Sequence, residues 1–411
     1  MTRLTTTAIA LIALHVVDDV FLQPEPGTTA ADHLLGGLIL LAILLVGLAC
    51  FHRGHAGMRG TVTLALGVLG LTVAAEGLLA MTEGVLARDD YSGLLAGAAG
   101  LVLLGGGAVT LWRSRRRDGG RARRLGRRAL VVASGVAGAV VVVVPVAAAY
   151  VITHVTLLSP GDVDLGVQHE EVTVTTADGL DLQAWYVPSH NGAAVIAVPG
   201  ASETPRHARM LVEHGYGVLL LEHRGTAESP GAPNLLGWNR TPDVHAAVAF
   251  LRGRPDVDAG RVGGIGLSVG GETLLQAAAE STDLRAVVSE GAGIRTLGEH
   301  HAVEGAKRWV ELPSVAVAMA ATSVFAGQGP PPALQDLVPR IAPRPLLLIS
   351  AGHGVGGEEL NAQYAVAAGG HATWWEIPEA RHTAGLSTRP DEYERRVVGF
   401  FDDALLEGAD R

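Results

Sequence analysis

The stretch Val262-Gly263-Gly264-Ile265-Gly266-Leu267-Ser268-Val269-Gly270-Gly271 decides the reading of this chain. It begins as a short, buried-type strand and runs into an apolar helical pattern from residue 269. Between the two lies Gly266-x-Ser268-x-Gly270. Glycines on either side of a serine permit a sharp strand-to-helix turn, which lifts the hydroxyl away from the backbone and puts a helix N-terminus behind it. Free N–H groups and the helix dipole there favour a developing oxyanion. The bland alternative is a Gly-rich turn without chemistry. The strand before and the helix after are the context in which such a serine is a nucleophile.

Outward from this turn, strands and helices alternate. VTVTT and LDLQAWYV, joined by Ala177-Asp178-Gly179, read as a β-hairpin. AAVIAVP, a helix over about 203–214, GVLLLE, a helix over 241–252, RVGGIGL, a helix from 269 and RAVVS follow. PLLLIS, a helix from about 358, TWWEIP and a last helix over about 391–407 complete the series. Short apolar strands alternating with helices predict an α/β domain built on a doubly wound, mostly parallel sheet. Residues 292–340 exceed a simple connection; they read either as a small helical lid or as a longer crossover.

Further landmarks occur in order. Ala197-Val198-Pro199-Gly200-Ala201 follows the third strand. Glu222-His223-Arg224-Gly225-Thr226-Ala227-Glu228-Ser229 follows the fourth. Pro255-Asp256-Val257-Asp258 leads into Arg261, and Ile377-Pro378-Glu379-Ala380-Arg381-His382-Thr383 follows the last strand. With the serine turn, these make residues from about 170 to 411 resemble the α/β-hydrolase superfamily, nearest its dienelactone-hydrolase-like and prolyl-oligopeptidase-like serine hydrolases. The resemblance implies acyl transfer through Ser268, with His382 as general base and then general acid. It implies a carboxylate after PLLLIS, where the loop AGHGVGGEEL offers Glu358 or Glu359 and no aspartate; Glu290, after RAVVS, is the alternative. It implies an oxyanion hole from the backbone N–H groups of Val269 and Ala201, although Pro199-Gly200 stands where the family commonly has His-Gly. Such a donor is typically worth ~3 kcal/mol in the transition state. No metal or organic cofactor is implied. A serine at 268 argues against haloalkane or epoxide chemistry, which needs an aspartate there.

The first 157 residues are different in kind. The chain has 411 residues, 48% of them hydrophobic and 18% charged, with net charge −10. Residues 1–160 hold 13 arginines, no lysine and nine acids; the remainder is strongly acidic. Apolar runs at 4–22, 34–51, 61–82, 92–112 and 129–152 are each near the ~20 residues needed to cross a bilayer. They predict an α-helical transmembrane bundle of about five helices. The first run, interrupted by His15, Asp18 and Asp19, has a signal peptide as its rival, but acids follow it where a small-residue cleavage site belongs. Arg53 and Arg59 mark one loop and nine arginines between 113 and 128 another, so the positive-inside rule puts both in the cytoplasm and the C-terminal half outside.

His15, Asp18, Asp19, Asp32, His33, Glu76 and Glu83 gather near the outer helix ends, either as a functional polar cluster or simply wet in the headgroup region. The expected organisation is a membrane domain over 1–157, a short linker over 158–170 that keeps the next domain near the bilayer, and a hydrolase domain over 171–411. The expected partners are the lipid bilayer and a small-molecule or lipid-like acyl substrate. The net negative charge argues against nucleic acid. The single cysteine, Cys50, excludes an intrachain disulfide framework. A non-catalytic receptor or scaffold with a hydrolase-like domain is the competing reading. A transporter or sensor built on the helices is a third.

Overall fold

The computed structural model describes residues 2–23, 30, 34–74, 90–114, 138–155, 163–200, 204–226, 229–303 and 307–407. The chain forms two units, Met1–Thr156 with Trp309–Gly329, and Leu157–Arg308 with Pro330–Arg411.

The first unit is helical. Thr2–Leu22, Gly36–Arg53, Ala56–Val73 and Tyr91–Arg113 are long and apolar enough to cross a membrane; Val141–His154 and Trp309–Phe325 are apolar but shorter. The third helix starts at Ala56, earlier than the apolar run at 61 predicts, because the His55 side chain accepts a hydrogen bond from the Met58 N–H (3.1 Å) and caps it. Arg59 therefore lies on a helix, its side chain exposed and donating to His52 O (3.2 Å). The helices Ala56–Val73 and Asp90–Arg113 meet through glycines. A Cβ on Gly67 would stand 2.8 Å from Leu104 N, and one on Gly100 2.8 Å from Gly67 O. Small residues let backbones approach this closely where no hydrophobic effect drives association, as in lipid. The expected linker residues 158–162, Asp32, His33, Glu76 and Glu83, and most of the arginine-rich loop lie outside the described residues.

The second unit holds an eight-stranded sheet in the order β1-β2-β4-β3-β5-β6-β7-β8. The strands are β1 Glu170–Thr175, β2 Asp181–Val187, β3 Ala194–Val198, β4 Gly217–Leu221, β5 Val262–Leu267, β6 Ala286–Glu290, β7 Leu346–His353 and β8 Ala372–Arg381. β1 and β2 pair antiparallel, as do β2 and β4; the pairs from β4 through β8 are parallel. This is the α/β-hydrolase architecture, and the strands read as continuous apolar runs because both faces are covered. In β3, Ala194, Ile196 and Val198 join the core shared with helices Thr241–Arg252 and Val269–Glu280. The alternate residues Val195 and Ala197 join the opposite core with Met210, Leu211, Tyr393 and Phe401. The last helix, Pro390–Phe401, passes into a wider turn over Asp402–Glu407.

Candidate active site

The carboxyl ends of β5, β7 and β8 bring the sequence-predicted residues together. Ser268 sits between β5 and the helix Val269–Glu280 with φ 52° and ψ −126°, a conformation that costs a non-glycine residue energy. Its neighbours have no room for side chains. A Cβ on Gly266 would stand 2.5 Å from Gly270 O, and one on Gly270 would collide with Val198 O. A Cβ on Gly200 would collide with Leu267 O, so the loop after β3 runs in backbone contact with the serine turn. Ser268 N–H donates to Glu290 O (2.7 Å), which fixes the turn against β6.

His382 follows β8, next to Thr383, which also has positive φ (55°). Its Nδ1–H donates to Glu358 Oε1 in a very short hydrogen bond. Its Nε2 is therefore the acceptor for the Ser268 hydroxyl, at 2.9 Å. Glu358 is buried (1% exposed) and is oriented by the N–H groups of Ala351 (3.0 Å) and Val355 (3.1 Å). The loop reaches this position through left-handed Gly356 and Gly357 (φ 69° and 91°), conformations that suit glycine. The Glu358 hydrogen bond stabilises the imidazolium and raises the His382 pKa above its ordinary value, against the opposing effect of burial.

The two other carboxylates lie elsewhere. Glu359 is exposed. Glu290 is buried and accepts from Tyr393 Oη (2.6 Å) and Gly385 N–H (2.8 Å), with His207 Nε2 at 3.4 Å. Val269 is the first residue of its helix, so its N–H has no acceptor within that helix. Ala201, the second expected oxyanion donor, lies outside the described residues, as do Ala227 and Glu228 of the stretch after β4. In that stretch Arg224 is pinned by Asp178 (2.7 Å) and Asp243 (2.6 Å), partners that the sequence reading did not single out.

A partly buried carboxylate beside the serine is a further feature that the sequence reading does not single out. Glu272, in the first turn of the serine's helix, accepts from Gly293 N–H (3.0 Å), with Arg295 Nε at 3.8 Å. Burial pushes its pKa up to about 7. Its position four residues after Ser268, one turn along the same face, is the signal that could have found it. In the helical unit, His15 donates from Nε2 to Val73 O (2.8 Å) and accepts at Nδ1 from Ser92 Oγ (3.0 Å). Asp18 accepts from Gln23 (3.0 Å) and Asp19 from Tyr150 Oη (3.1 Å). Among the described residues no group of three or more His, Cys, Asp or Glu side chains is arranged to hold a metal.

Residues 167–373 match the profile of the family described as X-Pro dipeptidyl-peptidase (S15 family). An uncharacterized protein of Mycobacterium tuberculosis (strain H37Rv) is 36% identical over 107 residues, 24% of this chain. The chain thus spans only 37% of that relative's length. The uncharacterized protein YfhR of Escherichia coli O157:H7 is 26% identical over 255 residues, 57% of this chain and 81% of YfhR. A solved Pyrococcus furiosus esterase superposes with TM-score 0.49 at 21% identity, covering 61% of this chain and 96% of the esterase.

Proposed function

The chain belongs to the X-Pro dipeptidyl-peptidase (S15) family, and on that premise we propose that it is a membrane-anchored serine hydrolase. The observation that carries this reading is the hydrogen-bonded line from Ser268 through His382 to Glu358. In the proposed reaction His382 Nε2 takes the proton of Ser268 Oγ as that oxygen attacks the acyl carbon. The oxyanion lies toward the N–H groups at the head of the helix Val269–Glu280. His382 then gives its proton to the leaving group, and water reverses the sequence on the acyl-serine. Glu358 holds the imidazole in the tautomer that leaves Nε2 free to accept, and stabilises the imidazolium.

The proposed substrate is an acyl ester, apolar or lipid-like, because a membrane-anchored enzyme meets molecules that partition into bilayers. The family match favours a second reading, a peptidase that cleaves after proline. The helices Thr2–Leu22, Gly36–Arg53, Ala56–Val73 and Tyr91–Arg113 support membrane anchoring. The arginines between 113 and 128 support an orientation with the hydrolase unit outside the cytoplasmic membrane. Purified protein is to be assayed on p-nitrophenyl esters of increasing chain length and on an X-Pro aminocoumarin amide, with Ser268→Ala as control. Serine-dependent ester turnover supports the first reading and amide turnover the second. No turnover of either favours a ligand-binding receptor. Protection of a C-terminal tag from protease added to intact cells would refute the orientation.

A further inference from the structure

The helix Lys307–Phe325 lies in sequence between β6 and β7 of the hydrolase sheet, yet its residues from Trp309 onward belong to the helical unit. Phe325 is buried (4% exposed) in that unit's core with Leu40, Leu44, Ala149 and Tyr150, and Ala321 and Val324 pack against the same core. Its ring stands edge-on to Tyr150 (centroids 5.7 Å apart, 90°) and to His154 (5.9 Å, 83°). A Cβ on Gly36 would lie 3.5 Å from the Phe325 Cα, so the backbone of the helix Leu34–Arg53 comes into direct contact there. At the other end, Trp309 and Val310 are 57% and 79% exposed. Tyr91 and Trp112, at the two ends of the helix Asp90–Arg113, are likewise exposed (60% and 66%). Exposed aromatic residues at the ends of apolar helices are what an interfacial belt requires.

Trp309–Phe325 is 17 residues long, about 25 Å as a helix and short of the ~30 Å hydrocarbon thickness. It connects β6 and β7, neighbouring strands of one sheet, so the chain that enters the membrane here returns to the side of the hydrolase sheet that supplies it. We infer that this helix is a membrane-embedded part of the helical unit, with one face on the helices Leu34–Arg53 and Val144–His154 and the other toward lipid acyl chains. The hydrolase unit is then held to the bilayer by two independent attachments, the junction near residue 160 and this internal helix. The inference rests on the membrane reading above but not on catalysis.

The test uses the full chain in its own membranes, with a site for a specific protease substituted into residues 157–162. After cleavage and a carbonate wash, the C-terminal fragment is expected in the membrane pellet. Its release into the wash overturns the inference. Full-length protein in the soluble fraction before cleavage overturns the membrane reading instead. A second arm, in a Cys50→Ser background, places Gly36→Cys against Phe325→Cys and oxidises. The two cleaved fragments are expected to run as one species without reductant and as two with it. Retention of the fragment without this cross-link overturns the inference as well, since another surface would then hold it. A limited-proteolysis pattern of the unoxidised double-cysteine protein that matches its parent shows that its fold is intact.

Discussion

Glu358→Gln tests the line of hydrogen bonds at its least redundant point. The carboxylate of Glu358 meets three N–H donors, from Ala351, Val355 and His382 Nδ1, and has only acceptor oxygens to offer them. A glutamine keeps one acceptor oxygen and turns an NH2 toward the remaining donors. Either the loop or the imidazole must then shift, and the imidazolium loses its counter-charge. Comparable loss of the orienting carboxylate in a serine–histidine pair costs on the order of 10⁴ in rate, or about 5.5 kcal/mol. The assay is the second-order rate of fluorophosphonate labelling from pH 5 to 9, which needs no knowledge of the substrate. The wild type should label faster as pH rises through the raised His382 pKa, because only neutral imidazole accepts the serine proton. Glu358→Gln should label about 10³–10⁴ slower, with its acid limb moved to lower pH, because the Glu358 hydrogen bond is the main cause of the raised value. Glu359→Gln, on an exposed side chain, should match the wild type. Wild-type labelling by Glu358→Gln would refute the assignment.

Glu272 is partly buried with its pKa raised from 4.5 to about 7, so the stability it permits is full below its unfolded pKa and is lost as pH rises through the folded value. Glu272→Gln should therefore remove roughly 3 kcal/mol of stability loss between pH 4.5 and 8, read by chemical denaturation across that range. Gly270→Ala drives a methyl group into Val198 O and should cost about 1–3 kcal/mol, seen as a lowered Tm together with slowed labelling of Ser268. Arg224→Leu leaves buried Asp243 without its guanidinium partner and should cost about 3–5 kcal/mol in urea unfolding.

The strand–helix alternation was legible because strands buried on both faces are short apolar runs, and the glycines around Ser268 mark a turn that side chains would block. The same pattern names Ser268 and His382, which the structure brings within 2.9 Å of each other. Among the carboxylates the sequence puts Glu358 first only as the nearer of two neighbours in the loop after PLLLIS, with Glu359 and Glu290 as alternatives. Glu358 and Glu359 are neighbours, and only the path of the loop through Gly356 and Gly357 buries one and exposes the other. Glu290 lies at the end of β6, where long-range contacts with Tyr393, His207 and Gly385 determine its partners. Within the connection 292–340, residues 314–326 are visibly apolar and too few to span a bilayer. That this run packs among helices more than 150 residues earlier in the chain depends on Gly36, Tyr150 and Phe325 meeting, which no local pattern records.

The central claim is that Ser268 is an activated nucleophile. Isolated membranes carrying the wild type or Ser268→Ala should be treated with a fluorophosphonate probe. The account predicts labelling of the wild-type band and none of the Ser268→Ala protein at equal expression. An unlabelled wild type, or labelling that survives the substitution, would contradict it.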